Sequence, residues 1–334
     1  DMPHRPVTLH CFIGLSPHAH AKLLSIDVSA AEAAPGVARV LTAADIPGTN
    51  DVSPVVGDDP LFAVGVVEYA GQSVFAVAAD SLEQARAAAG LVKIEYEPLP
   101  AVLTIDEALA ADADLLPRHE MRLGEPEKAV DAAPRRLEGR IYVGGQDHFY
   151  LEGQAANAVR GEDDDMVVWS STQHPSEVQH NVARVLGLAD HAVTCEVRRM
   201  GGAFGGKESQ AALIAAVPAL AAWITGRPAK LTLDRDDDMV LTGKRHEVRI
   251  DYRVGFDETG VIQGIVFDQA VRCGYSADLS SSIADRAMFH ADNTYSLKNA
   301  RIRSRRVKTN SVSNTAFRGF GGPQGMLGIE HVMD

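Results

Sequence analysis

The run Arg199-Met-Gly-Gly-Ala-Phe-Gly-Gly-Lys-Glu208 is a glycine-rich stretch that closes on a Lys–Glu pair. Ahead of it Val193, Cys195 and Val197 alternate as in a half-buried strand, and an alanine-rich helical run follows. A glycine-rich connection from a strand into a helix can aim backbone N–H groups at an anion or a polar cofactor. Gly201, Gly206 and Lys207 match the G-x-x-x-x-G-K spacing of a phosphate-binding loop. Such a loop continues with Ser or Thr, whose hydroxyl holds magnesium; here Glu208 follows, and its carboxylate would repel a triphosphate. No G-x-G-x-x-G can be read through the stretch, so a dinucleotide fingerprint is absent. Taken alone, the run reads as a tight turn that needs positive φ at several glycines.

A second run, Asn314-Thr-Ala-Phe-Arg-Gly-Phe-Gly-Gly-Pro-Gln324, sets one arginine between two phenylalanines in another glycine-rich loop. Three more segments accompany the two loops: Gly144-Gly-Gln-Asp-His-Phe-Tyr-Leu-Glu152, Ser171-Thr-Gln-His-Pro175 and Asp285-Arg-Ala-Met-Phe-His290. In their order along the chain the five segments resemble the molybdenum-binding subunit of the xanthine dehydrogenase family. That family lies within the molybdenum hydroxylase superfamily, with aldehyde oxidases and carbon monoxide dehydrogenases. The likeness runs over nearly the whole chain. It implies a mixed α/β (α+β) fold, with an α/β hammerhead domain over residues 1–118 and the first part of a molybdopterin-cofactor-binding domain over residues 119–334.

The resemblance also implies a chemistry. Molybdenum with oxo, sulfido and hydroxo ligands sits on a pterin dithiolene. The hydroxo oxygen attacks an electron-poor carbon, and a hydride passes to the sulfido. Electrons leave through 2Fe-2S clusters and FAD, on a partner subunit or domain, to NAD. The metal is held by the cofactor's sulfurs and not directly by protein side chains. On this resemblance Gln173 donates its amide to a molybdenum oxygen, Phe204 and Gly205 approach the cofactor, and Arg318 contacts it. Phe320 stacks on the substrate ring, which suits a flat heterocycle. Glu208 and Arg286 match two charged positions that flank a purine and that are typically apolar in aldehyde oxidases. Read without the family, Gln173 is a residue of a helix-entry turn, Phe204 and Phe320 are core, and Glu208 and Arg286 are members of structural ion pairs.

The implied activity is purine oxidation, hypoxanthine to xanthine to urate. The alternatives are an aldehyde-oxidising relative and a catalytically inactive fragment that serves as an assembly module. The implied partners are an iron–sulfur/FAD subunit and a C-terminal continuation of the same subunit, in a dimer of heterodimers. The general-base glutamate is expected beyond residue 334, so no catalytic base is assigned within the chain. The isolated chain is accordingly expected to be inactive.

The elements that must position these residues can be read in part. The 334 residues suffice for two domains with real cores. A formal net charge of −13 argues against a general nucleic-acid or anionic-membrane surface. Cys11, Cys195 and Cys273 are far apart, without C-x-x-C pairs, which argues against a disulfide framework, a zinc site or an iron–sulfur cluster. Reduced cytoplasmic thiols fit, and Asp1–Pro6 carries no signal-peptide pattern. His4, His10, His18 and His20 lack an H-E-x-x-H arrangement.

Residues 72–79 read as a buried strand, residues 82–89 as a helix capped by Ser81, and Val92, Ile94 and Tyr96 as the alternation of a following strand. Residues 112–136 read as a polar, proline-punctuated linker. Val178, Val182, Val185 and Leu186 share one helix face, closed by Gly187. Residues 211–224 read as a buried helix, kinked at Pro218 and too short to span a bilayer. Val248–Val254 and Val261–Phe267 pair as a hairpin around residues 257–260. The acidic runs 162–165 and 234–238 miss the calcium-loop pattern and read as solvated turns.

Overall fold

The structure is a computed structural model that describes residues 6–334. His4 and most of the signal-peptide reading at the N-terminus fall outside the described residues. The chain divides into two compact units, which interleave along the sequence. The first comprises 1–101, 148–243 and 310–312; the second comprises 102–147, 244–309 and 313–334.

The first unit holds a seven-stranded sheet in the order Val193–Glu196, Met166–Ser170, Ala155–Arg160, Ala229–Thr232, Leu9–Leu15, Ser73–Ala79, Val37–Leu41. A three-stranded sheet of Val66–Val67, Ala21–Asp27 and Lys93–Pro98 accompanies it. Ser73–Ala79 is buried along its whole length, and Ser81 caps the Leu82–Ala89 helix by accepting from Gln84 N–H at 3.2 Å. The strands on either side of this helix lie in different sheets, so the strand–helix–strand segment does not fold into one local layer.

Two helices fill the core of this unit. Pro175–Leu186 begins with proline, whose missing N–H costs nothing in a first turn, and ends at Gly187 with φ +67°. Its expected face, Val178, Val182, Val185 and Leu186, is buried. Ala211–Thr225 is apolar all round, as a helix enclosed by protein should be. Pro218 stands inside it and brings no N–H for the carbonyl four residues back. Among the described residues, no helix is long and apolar enough to cross a membrane.

The second unit is built on a five-stranded sheet ordered Asp114–Leu123, Ala300–Lys308, Ile262–Gly274, Val248–Phe256, Arg135–Val143. The expected hairpin forms, with Val248 opposite Val271 and Val254 opposite Ile265, and Gly260 turns it at φ +89°. The segment read as a linker is corrected: it supplies the edge strand Asp114–Leu123 and the helix Pro126–Ala132. An edge strand with mostly water-facing side chains shows no apolar alternation, so its polar composition concealed it.

One sheet face carries charge across all five strands. Arg140, Asp251, Asp268, Arg303 and Glu120 stand opposite one another in register. The other face packs on the helices Ser280–Phe289 and Gly322–Met333. There the fully buried Arg306 bonds Asp285 of the first of these helices, and its Nη2 lies 2.9 Å from His119 Nδ1.

Candidate cofactor and substrate loops

In the first unit the glycine-rich run folds as a tight turn. Gly206 N–H donates to Ala203 O at 2.9 Å, and both central residues have positive φ, Phe204 at 54° and Gly205 at 103°. Two positive φ values define a type I′ turn, which favours glycine. A phenylalanine there is a steric outlier. The second unit repeats this geometry in its own loop. Gly322 N–H donates to Gly319 O at 3.0 Å around Phe320 at 49° and Gly321 at 89°. Bulky residues in this conformation cost about 1–3 kcal/mol and persist where the surroundings over-determine them, typically at functional sites.

The surroundings of the first turn are dense with bonds. Gln173 Oε1 accepts from Gly205 N–H at 2.9 Å and from Lys207 N–H at 3.4 Å. Gln173 N–H in turn donates to Lys207 O at 2.8 Å. With its oxygen engaged, Gln173 keeps an amide NH2 to offer, on an exposed side chain. Gln154 Nε2 donates to Gly206 O at 2.9 Å, and a Cβ on Gly206 would strike the His148 ring. Glu152 Oε2 accepts from Gly201 N–H at 2.7 Å. Burial opposes the Glu152 carboxylate, but bonds from Ser171, Gly201 and Lys207 outweigh it and hold its pKa below the ordinary value.

Lys207 does not serve as a phosphate-loop lysine. Its ammonium is buried, donating to Glu152 O at 2.9 Å and Ser171 Oγ at 2.8 Å, and it lies 4.6 Å from the centroid of the Tyr150 ring. Burial lowers its pKa. Tyr150 OH donates to Asp238 Oδ1 at 2.7 Å, and Asp238 Oδ2 accepts from Gln154 N–H at 2.9 Å. The run 234–238 is therefore not a solvated turn, a second correction. Asp234 caps the Arg235–Leu241 helix, and Asp238, one helical turn on, faces inward. Glu208 follows Lys207, half-buried, with its N–H on Gly205 O at 3.2 Å.

The second unit brings together the other candidates. A Cβ on Gly321 would fall 2.1 Å from Ile283 O, and one on Gly325 would fall 2.1 Å from Ala287 O. Only glycine allows this helix to seat against the loop. Arg286 lies on that helix between these contacts, exposed, with Nε 3.4 Å from His290 Nε2. Arg318 is exposed and Phe320 half-buried.

Sequence reasoning gave no role to Arg245, which holds this loop from behind. Its Nη2 donates to Arg318 O at 3.0 Å, its Nε to Gln146 Oε1 at 2.7 Å, and its guanidinium stacks 3.8 Å from the Phe317 ring centroid. Next to it His246 is buried, with Nε2 2.8 Å from Ser280 Oγ at the start of the Arg286 helix. Burial, helped by the nearby Arg272 charge, pushes this imidazole down to about 3. A histidine kept neutral in the fold but free to protonate when unfolded makes stability rise with pH. The window runs from about 3 up to the ordinary value of 6.5. Urea midpoints should therefore fall between pH 7 and pH 5. A His246→Asn variant should show a flatter fall, and an equal slope in both proteins would show that His246 does not titrate this way.

The molybdopterin cofactor-binding domain matches residues 111–334, and the α/β hammerhead domain of aldehyde oxidase and xanthine dehydrogenase matches residues 1–100. The chain belongs to the molybdenum hydroxylase family. The chain is 44% identical to a xanthine dehydrogenase/oxidase of Mus musculus, over all of its own length and 25% of the relative's. It is 45% identical to a xanthine dehydrogenase of Oryza sativa subsp. japonica, over 99% of its length and 24% of the relative's. It thus spans about a quarter of these curated relatives.

An aldehyde oxidoreductase of Desulfovibrio gigas superposes with a TM-score of 0.90 at 29% identity, covering 99% of this chain and 39% of that one. Quinoline 2-oxidoreductase of Pseudomonas putida 86 superposes with a TM-score of 0.88 at 26% identity, covering 98% of this chain and 44% of that one. The fold is accordingly mixed α and β, a hammerhead domain followed by a molybdenum-cofactor-binding domain. Among the described residues no cluster of His, Cys, Asp or Glu could hold a metal, which fits a molybdopterin cofactor that needs no protein ligand to its metal. Two turns present backbone and aromatic surface, and Gln173 keeps a neutral amide donor on an exposed side chain.

Proposed function

We propose that the whole protein oxidises purines, hypoxanthine to xanthine to urate, as a xanthine dehydrogenase. Bound molybdopterin would supply the oxygen-transfer and two-electron chemistry. Gln173 would hold a metal-bound oxygen through its NH2. Phe204, Gly205 and Arg318 would contact the cofactor, and Phe320 would stack on the substrate ring. Glu208 would accept from, and Arg286 donate to, the polar edges of a purine. Arg286 would also stabilise negative charge that builds on the ring. The observation that carries this reading is the charge of Glu208 and Arg286, each placed beside a Phe–Gly turn.

A partner subunit or domain with 2Fe-2S clusters and FAD would carry electrons to NAD. A further part of the same subunit would bring the general base, in a dimer of heterodimers in the cytoplasm. The division of the chain would fall near residue 118. The deciding experiment is a comparison of substrates on the purified whole protein. Xanthine or hypoxanthine should give a higher kcat/KM than simple aldehydes. The reverse order would overturn the purine reading and favour an aldehyde oxidase.

A further inference from the structure

We propose that Lys207 and Arg245 are positioning residues, each a buried cation that anchors the loop carrying one of the Phe–Gly turns. The inference rests on the reading of both turns as cofactor loops. Each turn keeps a phenylalanine at left-handed φ, a conformation glycine adopts freely and a bulky residue keeps only where its surroundings constrain it. Some fixed contact must hold each one in place.

Behind the Phe204–Gly205 turn stands Lys207. Its ammonium has three donors, and all have acceptors within the protein. Glu152 O is at 2.9 Å, Ser171 Oγ at 2.8 Å, and Gly153 O and Glu152 Oε1 at 3.4 and 3.5 Å. The Tyr150 ring closes the remaining side at 4.6 Å. This lysine has no donor left for a ligand, and its position directly after Gly206 ties the end of the turn to Glu152 and Ser171. Glu152 reaches the start of the same loop through Gly201 N–H, so the two residues grip the loop at both ends.

Arg245 stands on the turn that leads into the Phe320–Gly321 turn. Its bond goes to Arg318 O, inside the turn that Phe320 N–H closes on Phe317 O at 2.7 Å. Its flat face lies on Phe317 itself, 3.8 Å from the ring centroid. The carbonyl and the ring of one turn are thus fixed by one guanidinium. Its Nη1 is buried without a hydrogen-bond partner, so replacement by Met removes an unpaired donor together with the anchor.

The test uses the whole protein with its redox domains. Lys207→Met and Arg245→Met should keep their molybdenum content. Each should change the electron paramagnetic resonance signature of the metal after partial reduction by dithionite, a readout that needs no substrate. Turnover should fall roughly 10²-fold, as misplacement by about an ångström does, with kcat affected more than KM. Arg245→Lys, which can still reach Arg318 O, should lie between wild type and Arg245→Met. An unchanged signature with unchanged kcat in a Met variant overturns the proposal for that turn. Where a Met variant does not fold, Ser171→Ala and Phe317→Leu, each lacking one contact of its cation, are read in the same way, and no change there overturns it. Arg318→Ala separates the two levels. If its metal content, signature and activity are all normal, the cofactor reading of the second loop fails. If Arg318→Ala alters the signature and the anchor variants do not, the anchoring alone is wrong.

Discussion

Replacing Glu208 with Ala, or Arg286 with Met, in the whole protein should lower kcat/KM for xanthine by roughly 10²–10³-fold, the usual loss for one preorganised polar contact to a transition state. Metal content should stay near normal. The turn bond from Glu208 N–H to Gly205 O belongs to the backbone and survives truncation to Ala. Arg286 lies on the surface of its helix, with His290 as its close neighbour, so Met there leaves the helix packing intact. Turnover of simple aldehydes should hold or rise, because an apolar residue removes a desolvation cost that a purine repays and an aldehyde does not. Wild-type kcat/KM for hypoxanthine and xanthine in both variants would remove these residues from substrate recognition and leave them as structural charges.

The second large effect is an all-or-none one. Expressed alone, these 334 residues should hold no stoichiometric molybdenum and should not reduce NAD or a dye with xanthine. The chain spans about a quarter of its curated relatives. Its candidate contacts to a cofactor are one amide, one turn and one arginine, none of which is read as a metal ligand. Phe149, Leu151 and Phe204 are exposed apolar side chains in or near the first loop, a surface that water does not favour. Metal analysis and a dye-reduction assay on the isolated chain decide the matter. Stoichiometric metal with turnover would show that the two loops are nearly sufficient for the site.

Several of these elements were legible in the sequence because they obey a period. The four apolar residues from Val178 to Leu186 have no other explanation than one helix face, and Gly187 marks its end. The hairpin around Gly260 was equally plain. Legibility failed where a residue's role depends on a distant partner. Lys207 carried a phosphate-loop spacing, but its acceptors come from residues 36 and 55 positions away. Asp238 looked like its acidic neighbours because composition cannot show that one helical turn separates a solvated cap from a core position. Arg245 gave no signal at all, since its partners Gln146 and Arg318 lie far off on either side. The first run reads as a tight glycine turn and the second only as a further glycine-rich loop. That a phenylalanine, and not only glycines, would hold the left-handed position is invisible to composition.

The five-stranded sheet carries a consequence for how the chain finds its pairing. Strand Ala300–Lys308 presents Arg301, Arg303 and Arg305 on its charged face, with Asp268 opposite Arg303. Sliding this strand by two residues, the smallest slip that keeps its faces, would set Asp268 opposite Arg301 or Arg305 instead. Charge on that face therefore tolerates three alignments. The other face does not. A slip would bring Ser304 or Lys308 to the place of Arg306; serine has no charge for Asp285, and lysine lacks the guanidinium that bonds Pro117 O and Asp285 together. Breaking a fully buried ion pair costs about 3–5 kcal/mol, and the one-third exposure of Asp285 brings the loss here below that range. The discrimination among near-equivalent alignments falls to Arg306, whose value to the fold lies in ruling out neighbouring structures more than in strengthening its own.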